Sequence, residues 1–351
     1  MNLLLQPTWQ TPHSTFPFTE IAIADIEEAI QEGIKCEAIE VDNIANQPNP
    51  PSFENTIVAL STTGKVLEKA TTLMYNQLSA CTSEELEELA ERMSPLLSEH
   101  SSNIMLNETL FARVKAVYDE EKLRSRLEGE DKMLLEKTYD GFERSGATLD
   151  AQKKERFREI KAELSQTALK FSQNNIKETN DFFLHITDSA QLKGLPQSQI
   201  EQAESAAQEK KLEGWVITLH APSFVPFMQY SEVRELREQL YRAYMTKCTK
   251  DNEYNNFEIC RKLVNLRMEL AQLLGYPDYA TYVLKNRMAQ TPEKVYELLD
   301  NLKAHYLEAG KKDVAAVEAL AKELEGDDFC MKPWDFAHYS HLLQLRDYNL
   351  D

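Results

Sequence analysis

A chain of 351 residues with a formal charge of −19 and pI near 4.9 has too few clustered Lys and Arg to neutralise phosphates, which argues against nucleic acid and anionic membranes. Acidity at this level marks a solvated helical surface, and the length suits two domains or one elongated one. Five cysteines, Cys36, Cys81, Cys248, Cys260 and Cys330, are odd in number and form no Cys-x-x-Cys, which reads as reduced thiols in a cytoplasm.

The opening MNLLLQPTWQ has three leucines before Gln6-Pro7, too short for a signal core and without a basic lead-in, and no later segment approaches a membrane span. Ile23, Ile26, Ile30, Ile34 and Val41 mark one face of a first helix. Pro48–Pro51 ends it and Phe53 opens the next element. Thr82 with Glu85 reads as a capping box ahead of the stripe Leu86, Leu89, Met93 and Leu96. A soft boundary near Gly146–Asp150 divides a front helical bundle, 1–149, from a helical region with a β-ribbon, 150–351. Phe157, Ile160, Leu164, Ala168 and Phe171 then mark a long helix. Asp181–Ile186 and Gly214–Leu219 read as two strands of a small ribbon (about 181–220), with an alanine-rich helix around Pro196–Lys211 between them.

Within the second strand Trp215, Ile217 and Leu219 alternate against Val216, Thr218 and His220. The chain breaks at Pro222 and Pro226 before a charged helix carrying Arg234, Arg237 and Arg242. Thr291-Pro292 supplies a cap and a proline at the first helical position. After Trp334 an amphipathic helix runs through Tyr339, Leu342, Leu343 and Leu345. The expected fold is mainly α: an elongated multi-helix chain with one small ribbon.

A series of short motifs then points to a family. Pro50-Pro51-Ser52-Phe53-Glu54-Asn55-Thr56 resembles a Pro-Thr-Phe-Glu-Asn-Thr signature, and Leu96-Leu97-Ser98-Glu99-His100 and Leu106-Asn107-Glu108 resemble the next landmarks. Gly141-Phe142, Arg144-Ser145-Gly146, Leu184-His185-Ile186-Thr187-Asp188 and Gly194-Leu195-Pro196 follow in order, and then the stretch Gly214–Tyr244. Leu266-Arg267, Glu269-Leu270-Ala271, Leu273-Leu274-Gly275-Tyr276, Met288-Ala289, Thr291–Val295 and Pro333-Trp334-Asp335 complete the series. Together these are similar to the front half of the thimet/neurolysin-type zinc metallopeptidases, the group containing oligopeptidase A and bacterial peptidyl-dipeptidases, and they lean towards the peptidyl-dipeptidase branch.

The resemblance implies a neurolysin-like N-terminal portion forming one wall of a peptide channel, with zinc and short peptides belonging to the full-length protein. A site of that kind needs two histidines one helical turn apart, a carboxylate base and an open metal position. None of the seven histidines is followed by Glu, and none has a second histidine four residues on, so the chain has no His-Glu-x-x-His. No catalytic residue, metal ligand or cofactor is therefore assigned to this chain, and substrate-contacting residues are left open.

Other chemistry has little support. His338 and His341, with Asp335 one turn earlier, could in principle form a metal patch; packing is the reading adopted. No Gly-x-Ser-x-Gly elbow or phosphate-binding glycine loop occurs, and each cysteine reads as a small buried hydrophobe. Glu84-Glu85 and Glu87-Glu88 read as a solvated helix face. Arg234, Arg237 and Arg242, interspersed with Glu235 and Glu238, read as surface ion pairs; the alternative is an arginine catching a substrate carboxylate in a channel. Phe224, Phe227 and Tyr230 read as core, with channel lining as the alternative.

Related sequences continue past the position of Asp351 into a catalytic half, so truncation or an interrupted reading frame is expected, with an exposed apolar patch where the missing C-terminal half would dock. The leading expectation is a cytoplasmic peptidase portion inactive alone. The alternatives are one half of a split peptidase and a non-catalytic helical module that binds peptides or proteins.

Overall fold

In the computed structural model, which describes residues 2–6 and 8–350, the chain is mainly helical. The main helices of its first half are α1 (Ile23–Asn46), α2 (Lys65–Ala80), α3 (Glu84–Met105), α4 (Glu108–Asp119), α5 (Gly129–Arg144) and α6 (Ala151–Asp181). Then come β1 (Phe183–Ile186), α7 (Gln197–Glu209), β2 (Trp215–Thr218), α8 (Ala221–Tyr230) and α9 (Arg234–Met245). The last are α10 (Phe257–Leu273), α11 (Tyr279–Leu284), α12 (Pro292–Glu325) and α13 (Phe336–Tyr348). Among the described residues no helix is long and apolar enough to cross a membrane. Two compact units form: Met1–Lys170 with Lys262–Tyr282, and Phe171–Arg261 with Val283–Asp351.

The first unit is built on α1. Asp25 accepts from the Ala22 amide at 2.8 Å, satisfying one free donor of the helix start. Ile26 and Ile30 face Leu73, Met74 and Leu89 in one core, and Val41 joins Ile57, Leu110, Val114 and Phe142 in another. At Gly33 a Cβ atom would stand 2.8 Å from the backbone N and Cα of Leu67, so α1 and α2 meet at a spacing that only glycine permits. The Pro-rich connection is pinned from α4: Arg113 donates to the carbonyls of Gln47 and Asn49 and to Asn55 Oδ1. Ser52 and Asn55 cap the turn at Phe53 reciprocally, at 3.1 and 2.9 Å.

Helix α3 begins one residue later than its spacing suggests. Ser83, not Thr82, accepts from the Leu86 amide at 3.3 Å, while the Thr82 hydroxyl reaches Glu87. Glu87 is consequently buried rather than solvated. Leu86, Leu89 and Met93 are buried, but Leu96 is 41% exposed, because Leu97 lies nearer the centre of that face and packs on the core instead. On α6 only Phe157 and Ile160 of the expected stripe are fully buried, against Leu266 and Leu270 of α10; Ala168 and Phe171 are exposed.

In the second unit β1 and β2 pair antiparallel, in the register Phe183↔Thr218 to Ile186↔Trp215. Val216 and Ile217 are both buried, so the alternation of β2 does not separate core from solvent: α7 packs against the strand too. The two prolines expected to break the chain lie inside α8. Pro222 occupies the first turn, where its missing N–H costs nothing, and the His220 carbonyl accepts from Ser223 and Phe224 at 2.9 and 2.8 Å. Pro226 forfeits one internal bond, and the helix continues to Tyr230.

Helix α12 starts as its sequence indicates, with Thr291 Oγ1 accepting from Lys294 N at 3.4 Å. Its end is anchored: Val317 and Ala321 pack with Tyr339 of α13. Its earlier turns are not, and Tyr296, Leu299, Leu302, Tyr306 and Val314 form an exposed stripe at helical spacing.

Candidate functional site

The most heavily constrained polar cluster of the second unit lies where α9 meets the start of α13. Asp335 precedes α13 and is completely buried, and Arg237 beside it is 1% exposed. The Asp335 carboxylate accepts from Arg234 Nε and NH2 at 3.0 and 2.7 Å, from Arg237 NH2 at 3.0 Å and from the Lys332 amide at 2.9 Å. Arg234 and Arg237 stand three residues apart, so α9 presents both to one carboxylate. Arg237 NH1 also donates to the Ser231 carbonyl at 2.7 Å and Arg234 NH2 to the Cys330 carbonyl at 2.9 Å. Burial by itself pushes the Asp335 carboxyl up, but the bonds from Arg234, the Lys332 amide and Arg237 outweigh it and hold the group below its ordinary value.

These arginines are therefore not surface pairs, as their alternation with Glu235 and Glu238 suggests. They turn inward because Asp335, about a hundred residues along the chain, supplies a charge that α9 lacks on that face. Only Arg242 behaves as expected, bonding Glu238 at 2.7 Å while its guanidinium covers Trp334 at 4.8 Å. With these donors directed to Asp335 and to backbone carbonyls, Arg234 and Arg237 are structural clamps, while Arg237 Nε is buried without a partner among the described residues.

The histidines of α13 lock the same region to α8. The Gln229 carbonyl can only accept, so His338 Nδ1 donates to it, at 3.0 Å; the Gln229 side-chain amide lies 3.0 Å from His341 Nδ1. Tyr230 meets the His341 ring edge-on at 4.8 Å. Burial, with the Arg237 charge second, lowers the pKa of His338 and favours the neutral ring. Zinc does not fit this trio, because both Asp335 oxygens are already bonded to cations. Among the described residues no group of three or more His, Cys, Asp and Glu is arranged to hold a metal ion.

The aromatic residues divide. Phe227 is core, Phe224 stacks on Tyr244 at 4.2 Å and Tyr230 is half-buried. The cysteines depart from their reading as buried hydrophobes: only Cys248 is buried, Cys36 is intermediate, and Cys81, Cys260 and Cys330 are exposed, at a helix end, on an outer helix face and in a loop. Burial, with the nearby Glu178 carboxylate second, pushes the Cys248 thiol up and keeps it protonated. Glu178 itself was not singled out by its sequence context. It is buried, accepts from the Cys248 amide and from Lys250 Nζ at 2.9 Å, and fixes the left-handed turn at Cys248.

The sequence profile of Peptidase family M3 matches residues 227–351, which include the clamp and both α13 histidines. Oligopeptidase A of Escherichia coli K12 is 32% identical over 349 residues, covering 97% of this chain and 51% of that protein. The dipeptidyl carboxypeptidase of the same strain is 30% identical over 99% of this chain and 51% of its own length. The chain belongs to peptidase family M3. An organellar oligopeptidase A of Arabidopsis thaliana is 36% identical over a shorter stretch, 59% of this chain. The chain spans about half the length of the two bacterial relatives.

Proposed function

We propose that this chain is the N-terminal, channel-wall portion of a cytoplasmic zinc-dependent oligopeptidase or peptidyl-dipeptidase acting on short peptides. The observation that carries the reading is the alignment of nearly all of this chain with only half of an oligopeptidase A and of a dipeptidyl carboxypeptidase. The metal chemistry belongs to the other half, since the residues here do not form a zinc site. This portion supplies packed helices that limit access to extended peptides, and the Asp335 clamp keeps the Pro-Trp-Asp segment in place.

The uncovered stripe of α12, from Tyr296 to Val314, is the seat of that other half. Burying an aliphatic or aromatic side chain of this size contributes up to about 1.5–3 kcal/mol, so these five positions would add to such an interface. The isolated chain should cleave no fluorogenic short peptide and retain no zinc after dialysis. Chelator-sensitive cleavage by the chain alone would overturn the proposal.

A further inference from the structure

The first unit holds a second feature, independent of the peptidase reading. A cleft of about 440 Å³ is lined by residues of α3, α6 and α10, with α2 and α11 contributing tyrosines. Each long helix contributes positions at i, i+4 and i+7, the spacing of one helical face. These are Ser94, Ser98 and Ser101 from α3, Lys161, Ser165 and Ala168 from α6, and Leu263, Arg267 and Leu270 from α10. Tyr75, Tyr279 and Tyr282 complete the wall with ring faces and hydroxyls.

The charge of this wall is the opposite of the chain's. Asp and Glu make up 58 of 351 residues, yet no acidic side chain lines the cleft, while Lys161 and Arg267 both do. Among the described residues neither cation has a carboxylate within ion-pair distance; Arg267 rests only on the Tyr279 ring, at 5.4 Å. The nearest acids on the same helices are engaged elsewhere: Glu163 pairs with Lys262 at 2.9 Å and Glu269 with Arg156 at 2.6 Å. In a protein this acidic, two cations left unpaired over serine and tyrosine hydroxyls form a local anion site. Leu164, Leu263, Leu270 and the tyrosine rings provide the apolar floor.

The geometry points to a binding site for a small amphiphilic anion, whose carboxylate or phosphate oxygens lie between Lys161 and Arg267 and whose apolar body covers the leucine and tyrosine floor. Calorimetric titration of the chain with 3-phenylpropionate and with phenyl phosphate tests it and distinguishes the two head groups; 3-phenylpropanamide is the neutral control. At least one anion should bind and the amide should not. Lys161→Gln and Arg267→Gln should each weaken binding about tenfold, the loss of one charge-assisted bond. Ser101→Glu, at an exposed wall position, should abolish binding by placing a carboxylate beside the cations. All three variants should melt with the wild type, because their side chains are exposed. No heat with either anion, equal binding of the amide, or affinities unchanged in the variants would each overturn the assignment.

Discussion

Two arginine–carboxylate clusters in this chain have nearly the same bond lengths and opposite surroundings. In the second unit Asp335, fully buried, takes Arg234 and Arg237 at 2.7 and 3.0 Å. In the first, Arg156 grips Glu269 with Nε and NH2 at 2.6 and 2.8 Å and Glu159 at 2.7 Å, and all three remain more than a third exposed. Hydrogen bonds donated to Glu269 and Glu159 raise the Arg156 pKa further, a change without consequence for a group that is always charged. The difference lies in what replaces each contact when it is lost. Water solvates a freed Arg156; no water reaches Arg237.

Asp335→Ala should therefore have the largest effect, about 3–5 kcal/mol in urea unfolding, because it strands a buried guanidinium. A loss below about 1 kcal/mol, typical of exposed pairs, would erase the contrast. The second effect depends on pH. The folded-state pKa of Asp335 is depressed, so its contribution is fully present above the unfolded value of about 3.9 and disappears as pH falls through the folded value. The stability gap between wild type and Asp335→Asn should narrow on acidification from that point; a gap that stays constant down to the acid transition would contradict the burial argument. Arg156→Ala should cost far less than Asp335→Ala, because water solvates the freed carboxylates, and the difference should shrink further at molar salt. Smallest of all, Tyr306→Glu on the open stripe of α12 should change stability by no more than about 0.5 kcal/mol. The same substitution should reduce binding of an apolar dye or self-association, and a large loss of stability would show that the stripe is already covered.

What the sequence discloses follows the range of the interaction. The isoleucines of α1, the Thr291-Pro292 start of α12 and the two strands are local patterns, and each forms where its spacing indicates. The lack of a His-Glu-x-x-His is equally local and readable. Arg237 could not be read as buried, nor Arg234 as turned inward, because their partner lies about a hundred residues away and the intervening Glu235 and Glu238 mimic a surface helix. Leu96 against Leu97, and Thr82 against Ser83, are one-residue choices that a period of 3.6 leaves nearly balanced. The serine face of α3 and the Lys161 face of α6 are each visible in one helix; their convergence with Arg267 is a property of the assembled unit alone.

The contact at Gly33 has a genetic consequence. A Cβ there would meet the Leu67 backbone at 2.8 Å, and backbone cannot rotate aside as a side chain can. Every missense change reachable from a glycine codon by one nucleotide introduces an amino acid with a Cβ, so this position has no mild single-step neighbour. A codon-level survey of functional variants should find position 33 unchanged at its coding bases and free only in its synonymous one.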